Sequence, residues 1–124
     1  MNVLIPILSQ TENSSEFIQF IPSTDKVVLL LPIDKSSKIR RCGFTASEIS
    51  DGQKLITVLK QKLTEKNIVC EDMVDWCNDV AVQIDRMAQL KQCTKIILAK
   101  QNNAYFNDIV AKLSQSQQYS VQLV

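Results

Sequence analysis

The chain has 124 residues, of which 45% are hydrophobic and 22% charged, and its formal net charge at pH 7 is +1. This composition is typical of one soluble globular domain spanning residues 1–124, and with so small a net charge we expect neither nucleic-acid binding nor membrane binding. The chain has no run of about 18 apolar residues, so no membrane-spanning helix is predicted. The first predicted strand begins at Met1 or Asn2 and leaves no room for a signal peptide, so we expect a cytoplasmic protein.

In chain order, apolar runs predict five strands, at 2–8, 26–33, 67–76, 94–100 and 119–124. Helical spacing of apolar residues predicts four helices, at 14–21, 51–66, 78–93 and 105–116. Ser14 or Ser15 is expected to cap the first helix and Asn78 the third, while 34–50 is predicted to be a loop. The alternation indicates an α/β fold: a five-stranded, mostly parallel sheet with helices on both faces, doubly wound as in flavodoxin-like three-layer sandwiches.

The residues that usually perform catalysis or hold metals are scarce. The chain contains no histidine, and its four cysteines form no Cys-x-x-Cys pair. We therefore expect reduced structural thiols, no metal site, no cofactor and no enzymatic activity. An enzyme is the weakest alternative. Its nucleophile would be Cys42, whose thiolate Arg40 and Arg41 would stabilise, but no base accompanies it.

Four segments resemble the universal stress protein family in pattern and order. They are "VLIPIL" as the opening strand, "KVVLLLPID" as the second strand, and "CTKIILAK" and "YSVQLV" as the closing strands around a helix. The resemblance covers most of the chain and is carried by pattern, not by signature residues. It implies a stress-response protein with a regulatory role, commonly a homodimer that pairs through its last strand.

The nucleotide-binding members of that family carry an aspartate after strand one and a glycine-rich motif after strand four. Here Leu8 stands at the aspartate position, and "AKQNNAYFNDIVAKLSQS" contains no glycine. Glycines at this point let backbone N–H groups approach a phosphate closely. We therefore expect no ATP binding in the manner of the family.

Ligands of open parallel sheets bind beyond the carboxyl ends of the strands. The candidate residues there are small and polar: Ser9, Gln10, Asp34, Gln101, Asn102 and Asn103. They either line a pocket for a small polar ligand or only form turns and caps.

A basic cluster precedes the second helix, with Lys35, Lys38, Arg40 and Arg41 within seven residues. Lys38, Arg40 and Arg41 join the speculative ligand site, since they are suited to a phosphate, an RNA backbone or an acidic partner. A solvated loop explains the cluster equally well.

An acidic set, Glu71, Asp72, Asp75 and Asp79, lies on the third strand and the turn after it. Alternation places Glu71 and Asp75 on one face of the sheet and Asp72 on the other, so the carboxylates diverge and a metal site is not expected. These charges are typical of an edge strand protected against aggregation. Trp76 is interpreted as a core residue or a plug at the edge of the core, with stacking against a ligand as the alternative.

The last strand has one apolar face, formed by Tyr119, Val121 and Leu123. These three residues are predicted to form a homodimer interface, because an apolar edge strand needs a cover. The favoured function is a dimeric binding or regulatory module with a protein partner. The alternative is a sensor that binds a nucleotide or another small anionic ligand at the carboxyl edge and the 35–41 loop.

Overall fold

The computed structural model describes residues 2–21, 26–36 and 43–124. Within these ranges six strands form one sheet: β1 Asn2–Pro6, β2 Lys26–Asp34, β3 Phe44–Thr45, β4 Cys70–Cys77, β5 Cys93–Leu98 and β6 Ser120–Leu123. The α-helices are α1 Ser15–Ile18, α2 Ile49–Glu65, α3 Val80–Leu90 and α4 Ala104–Leu113.

The five longer strands lie in the order β4-β2-β1-β5-β6, and every pairing between them is parallel. The chain moves outward from β1 to β4 and then returns to β5 on the other side of β1. The order therefore reverses between β1 and β5, which is where doubly wound sheets bind ligands. The predicted doubly wound α/β fold is confirmed, with six strands instead of five.

The helices cover both faces of the sheet. On one face α1 and α2 bury six large side chains, Phe17, Ile18, Leu55, Ile56, Leu59 and Leu63. On the other face α3 and α4 bury Ile84, Met87, Phe106, Ile109 and Leu113. The interior strand β2 is buried on both faces, which explains its continuous apolar sequence.

Part of the segment predicted to be a loop has regular structure. Residues 44 and 45 form β3, which pairs with the carboxyl end of β2, and Phe44 is buried. Thr45 and Glu48 form a capping box around the 3-10 turn Ala46–Glu48, and α2 follows this turn directly at Ile49. The prediction of a loop is wrong for 44–50, because the burial of the Phe44 ring and the capping box stabilise regular structure in a sequence without clear periodicity. Residues 37–42 lie outside the described ranges.

β4 is an edge strand, as predicted, because it pairs only with β2 among the described strands. Cys77 is buried, but its neighbour Trp76 is 47% exposed. The interpretation of Trp76 as a core residue is therefore wrong. Successive side chains of a strand point to opposite faces, and near the end of an edge strand little packs beside an outward-facing ring.

Candidate functional site at the carboxyl edge of the sheet

The strand order brings most of the predicted ligand residues to one edge. Ser9 and Gln10 follow β1, Asp34 ends β2, and 101–103 follows β5. Since β1 lies between β2 and β5, these are the carboxyl ends of three neighbouring parallel strands. Lys38, Arg40 and Arg41 lie outside the described residues.

The end of β1 is closed by a buried carboxylate. Glu12 is 1% exposed, and its Oε1 accepts a hydrogen bond from the Leu8 N–H at 2.9 Å. Its Oε2 accepts from the Ser9 N–H at 3.1 Å and from Ser9 Oγ at 2.7 Å. Burial raises the pKa of Glu12 to about 7, although these hydrogen bonds lower it. Sequence reasoning missed Glu12, although Ser9-x-x-Glu12 is a recognisable capping-box pattern.

The turn after β5 is organised around Asn103, the N-cap of α4. Its Oδ1 accepts a hydrogen bond from the Phe106 N–H at 2.7 Å, and its Nδ2 donates to Gln101 Oε1 at 3.3 Å. Asn103 has φ −153°, and no residue of 101–103 has a positive φ. The turn therefore lacks the left-handed backbone that a glycine-rich phosphate loop provides. A side chain already occupies an N–H group at the start of α4.

The end of β2 carries Asp34, which is 2% exposed. Its Oδ1 accepts a hydrogen bond from the Ser36 N–H at 2.7 Å, and its Oδ2 accepts from the Tyr105 hydroxyl at 3.3 Å. Sequence reasoning did not select Tyr105. The sequence signal for Tyr105 was its position in the first turn of the helix after a buried strand, because a hydroxyl there faces the carboxyl edge of the sheet.

A cleft of about 220 Å³ opens beside Asp34, between the first turns of α3 and α4. It is lined by Asp34, Ser36, Asn78, Asp79, Ala81, Tyr105, Asp108, Ile109 and Lys112. Three carboxylates thus face one amine, and Lys112 is paired with Asp108 at 3.1 Å. Its volume is below the roughly 300 Å³ at which small-molecule sites typically begin. Of the predicted ligand residues within the described ranges, Asp34 alone lines it.

Asp79 has a structural role in that cleft. It is the N-cap of α3, and its Oδ1 accepts a hydrogen bond from the Val82 N–H at 3.2 Å. The prediction of Asn78 as the cap is wrong by one residue. The aspartate carboxylate is the acceptor that satisfies an N–H group in the first turn, and its charge suits the helix dipole.

The remaining acidic residues diverge, as predicted. Glu71 pairs with Lys91 at 2.6 Å and with Lys26 at 3.0 Å, while Asp72 pairs with Lys60 at 2.6 Å on the opposite face. The two lysines beside it lower the pKa of Glu71. In the part of the chain that the structure describes, no group of three or more Cys, Asp or Glu side chains converges on a metal position.

The predicted dimer residues differ in exposure. Tyr119 is buried in its own chain, and its hydroxyl donates to Asp85 Oδ1 at 2.6 Å. Burial, followed by the hydrogen bond to Asp85, raises the pKa of Tyr119 to about 12. Val121 is half-buried and Leu123 is 39% exposed. Among the described strands β6 pairs only with β5, so its other edge is open.

No protein-family model and no curated protein matches this sequence. Its fold is that of the universal stress proteins. A crystal structure of a universal stress protein family member from Burkholderia pseudomallei aligns with 99% of this chain and 94% of its own, with a TM-score of 0.71 at 14% sequence identity. The predicted resemblance to that family is confirmed at the level of the fold. Within 2–21, 26–36 and 43–124, no helix is long and apolar enough to cross a membrane.

Proposed function

We propose that this protein is a cytoplasmic binding or regulatory module with the universal stress protein fold, without enzymatic activity and without ATP binding in the manner of the family. One observation carries the proposal: side chains of the chain itself occupy backbone N–H groups on both sides of the switch point. Glu12 accepts from Leu8 and Ser9 after β1, and Asn103 accepts from Phe106 after β5.

Phosphate binding at a helix start depends on free N–H groups and on the absence of competing negative charge. Here Asn103 takes one such group, and the cleft beside α4 is lined by three carboxylates and one amine. A triphosphate would have to displace a cap and approach like charges. Both effects disfavour ATP, and the lack of a histidine base disfavours catalysis of its hydrolysis.

The test is isothermal titration calorimetry with ATP, ADP, AMP and cyclic nucleotides at physiological magnesium. We expect no saturable heat for the natural sequence. The matched variant Asn103→Gly frees the capped N–H group and the turn, so it measures how much the cap contributes. Saturable ATP binding by the natural sequence in the micromolar range would contradict the proposal.

The same module is proposed to be a homodimer that pairs through β6, with Val121 and Leu123 at the interface. The open edge of β6 and the exposed Leu123 support this arrangement, because an open apolar edge strand favours pairing with another strand. Tyr119 would act from within each chain by holding the start of β6 against α3. A sedimentation coefficient of a monomer at tens of micromolar would exclude this dimer.

A sensor of a small polar or anionic ligand is the second candidate function. The cleft beside Asp34 and Tyr105 favours a small polar ligand, whereas an anion would have to be held by the basic residues Lys38, Arg40 and Arg41 against the carboxylates of the cleft. Thermal-shift measurements with small anions and nucleoside monophosphates test it. The shift is expected to be lost in Arg41→Ala and reduced in Tyr105→Phe. Flat curves across the panel would remove this candidate.

A further inference from the structure

The segment that follows β1, here called the 9–21 connection, covers one face of the sheet with little regular structure. It contains a 3-10 turn at Gln10–Asn13 and the four-residue helix α1. Phe17, Ile18 and Ile21 are buried in the core of that face. A helix of one turn has almost no stability of its own, so burial and side-chain hydrogen bonds must hold this segment closed.

Glu12 is the hydrogen-bonding centre of the 9–21 connection. It joins the end of β1, through the Leu8 N–H, to the turn that leads into α1. Among the described elements, α1 and α2 pack most closely against this turn, and beside it the Gly43 N–H donates to the Leu8 carbonyl at 2.7 Å. The charged residue of α1 is the exposed Glu16, and from α2 the Lys62 ammonium donates to the Asn13 carbonyl at 2.9 Å. Among the described residues Glu12 therefore has hydrogen-bond donors but no ion pair.

We propose that the 9–21 connection is a pH-sensitive cover on the sheet, closed most firmly while Glu12 carries a proton and opened more often once Glu12 is ionised. A buried carboxylate that has no ion pair among the described residues costs free energy when it is ionised, and opening the segment returns it to water. Opening would expose the apolar side chains of α1 and the sheet face beneath them.

The direction of the pH effect follows from the linkage between proton binding by Glu12 and closure of the 9–21 connection. Burial places the pKa of Glu12 at about 7 in the closed state, against 4.5 for an ordinary glutamate in water. The closed state therefore binds the proton more tightly. Protonation of Glu12 therefore stabilises the closed state fully below about pH 4.5, and this stabilisation is lost as the pH rises through about 7. The chain has no histidine, so few other side chains titrate in this range.

The test is amide hydrogen exchange of residues 14–21 at pH 5.5, 7 and 8.5, corrected for the intrinsic exchange rate. We expect the opening constant of these amides to rise by at least about tenfold over this range, since each unit of pH is worth up to a factor of ten. Amides of α4, on the other face of the sheet, serve as an internal reference that stays constant.

Two variants test whether the pH dependence comes from the Glu12 carboxyl or from another acidic group nearby. Glu12→Gln keeps the shape without the charge, so the opening constant becomes independent of pH. Glu16→Gln, which removes an exposed carboxylate four residues away, keeps the natural pH dependence. A natural chain without pH dependence at 14–21, or a Glu12→Gln chain with the natural dependence, would overturn the proposal.

A direct titration covers the case in which Glu12→Gln fails to fold. Carbon-13 NMR of the Glu12 carboxyl in the natural protein is expected to give a titration midpoint well above the ordinary glutamate value of 4.5. A midpoint for Glu12 at or below 4.5 would also overturn the proposal.

Discussion

The two edges of the sheet are built in opposite ways. On β4, Glu71 and Asp72 form ion pairs on opposite faces, with lysines from β2, from α2 and from the C-cap of α3. On β6, no described residue of the strand forms an ion pair with another described residue, and its apolar residues are half-buried Val121 and exposed Leu123. Charge on an edge strand prevents pairing with another strand, and its absence permits pairing. The comparison therefore indicates that β4 is protected from association and that β6 is available for it.

Placing a charge on β6 is the most direct way to remove this difference. In Leu123→Lys, two like charges meet in the proposed dimer, so we expect the dimer dissociation constant to rise by at least about tenfold. Sedimentation velocity over a concentration series measures it. Gln115→Lys adds the same charge in the loop after α4 and is expected to leave the dimer intact. Equal dimerisation of both variants would show that β6 is not the interface.

Tyr119→Phe tests the tie between β6 and the rest of its own chain. Loss of the hydrogen bond to Asp85, a charged acceptor, is expected to lower the free energy of unfolding by about 1.5 kcal/mol. Urea denaturation measures this change. A double-mutant cycle with Asp85→Asn should give a combined effect smaller than the sum of the two single effects, and full additivity would contradict the coupling.

Glu71→Gln tests the protected edge. Both of its lysine partners are partly exposed, so we expect a loss of about 0.5–1 kcal/mol that shrinks in 1 M salt. The lowered pKa of Glu71 gives a pH signature. Its contribution is present above the ordinary glutamate range and is lost as the pH falls through the lowered pKa, so the variant and the natural protein should converge in acid. A difference that persists unchanged in acid would argue against ion pairing.

Asp72→Asn should have the smallest effect. The side chain of its partner Lys60 is 44% exposed, and water screens the pair. We expect the urea midpoint of Asp72→Asn to match that of the natural protein within error. A loss as large as that of Glu71→Gln would mean that the two faces of β4 are equally important.

Much of the architecture was predictable because apolar periodicity is a local property. The continuous apolar run of β2 follows from its burial on both faces of the sheet. The apolar stripe of α4, Phe106, Ile109 and Leu113, follows from the burial of one face of that helix. The alternation of side chains along a strand correctly predicted that Glu71 and Asp72 lie on opposite faces of an edge strand. The short strand β3 was missed because two residues carry no periodicity.

The candidate site was less predictable. Ser9, Asp34 and Asn103 were assigned to the correct edge from the strand order, but Tyr105 was read only as a helix residue. Glu12 was not predicted as a buried residue, since a glutamate is rarely buried without a cation. Its burial depends on α1 and α2 closing over the end of β1, which no local pattern reports.

The sequence by itself determined the helices, the longer strands and the doubly wound order, because hydrophobic spacing and N-caps act within a few residues. Tertiary structure alone decided that Glu12 is buried, that Tyr105 and Tyr119 donate to Asp34 and Asp85, and that Trp76 is exposed. Those outcomes depend on desolvation and on contacts between residues far apart in the chain. They are set only when the helices pack against the sheet.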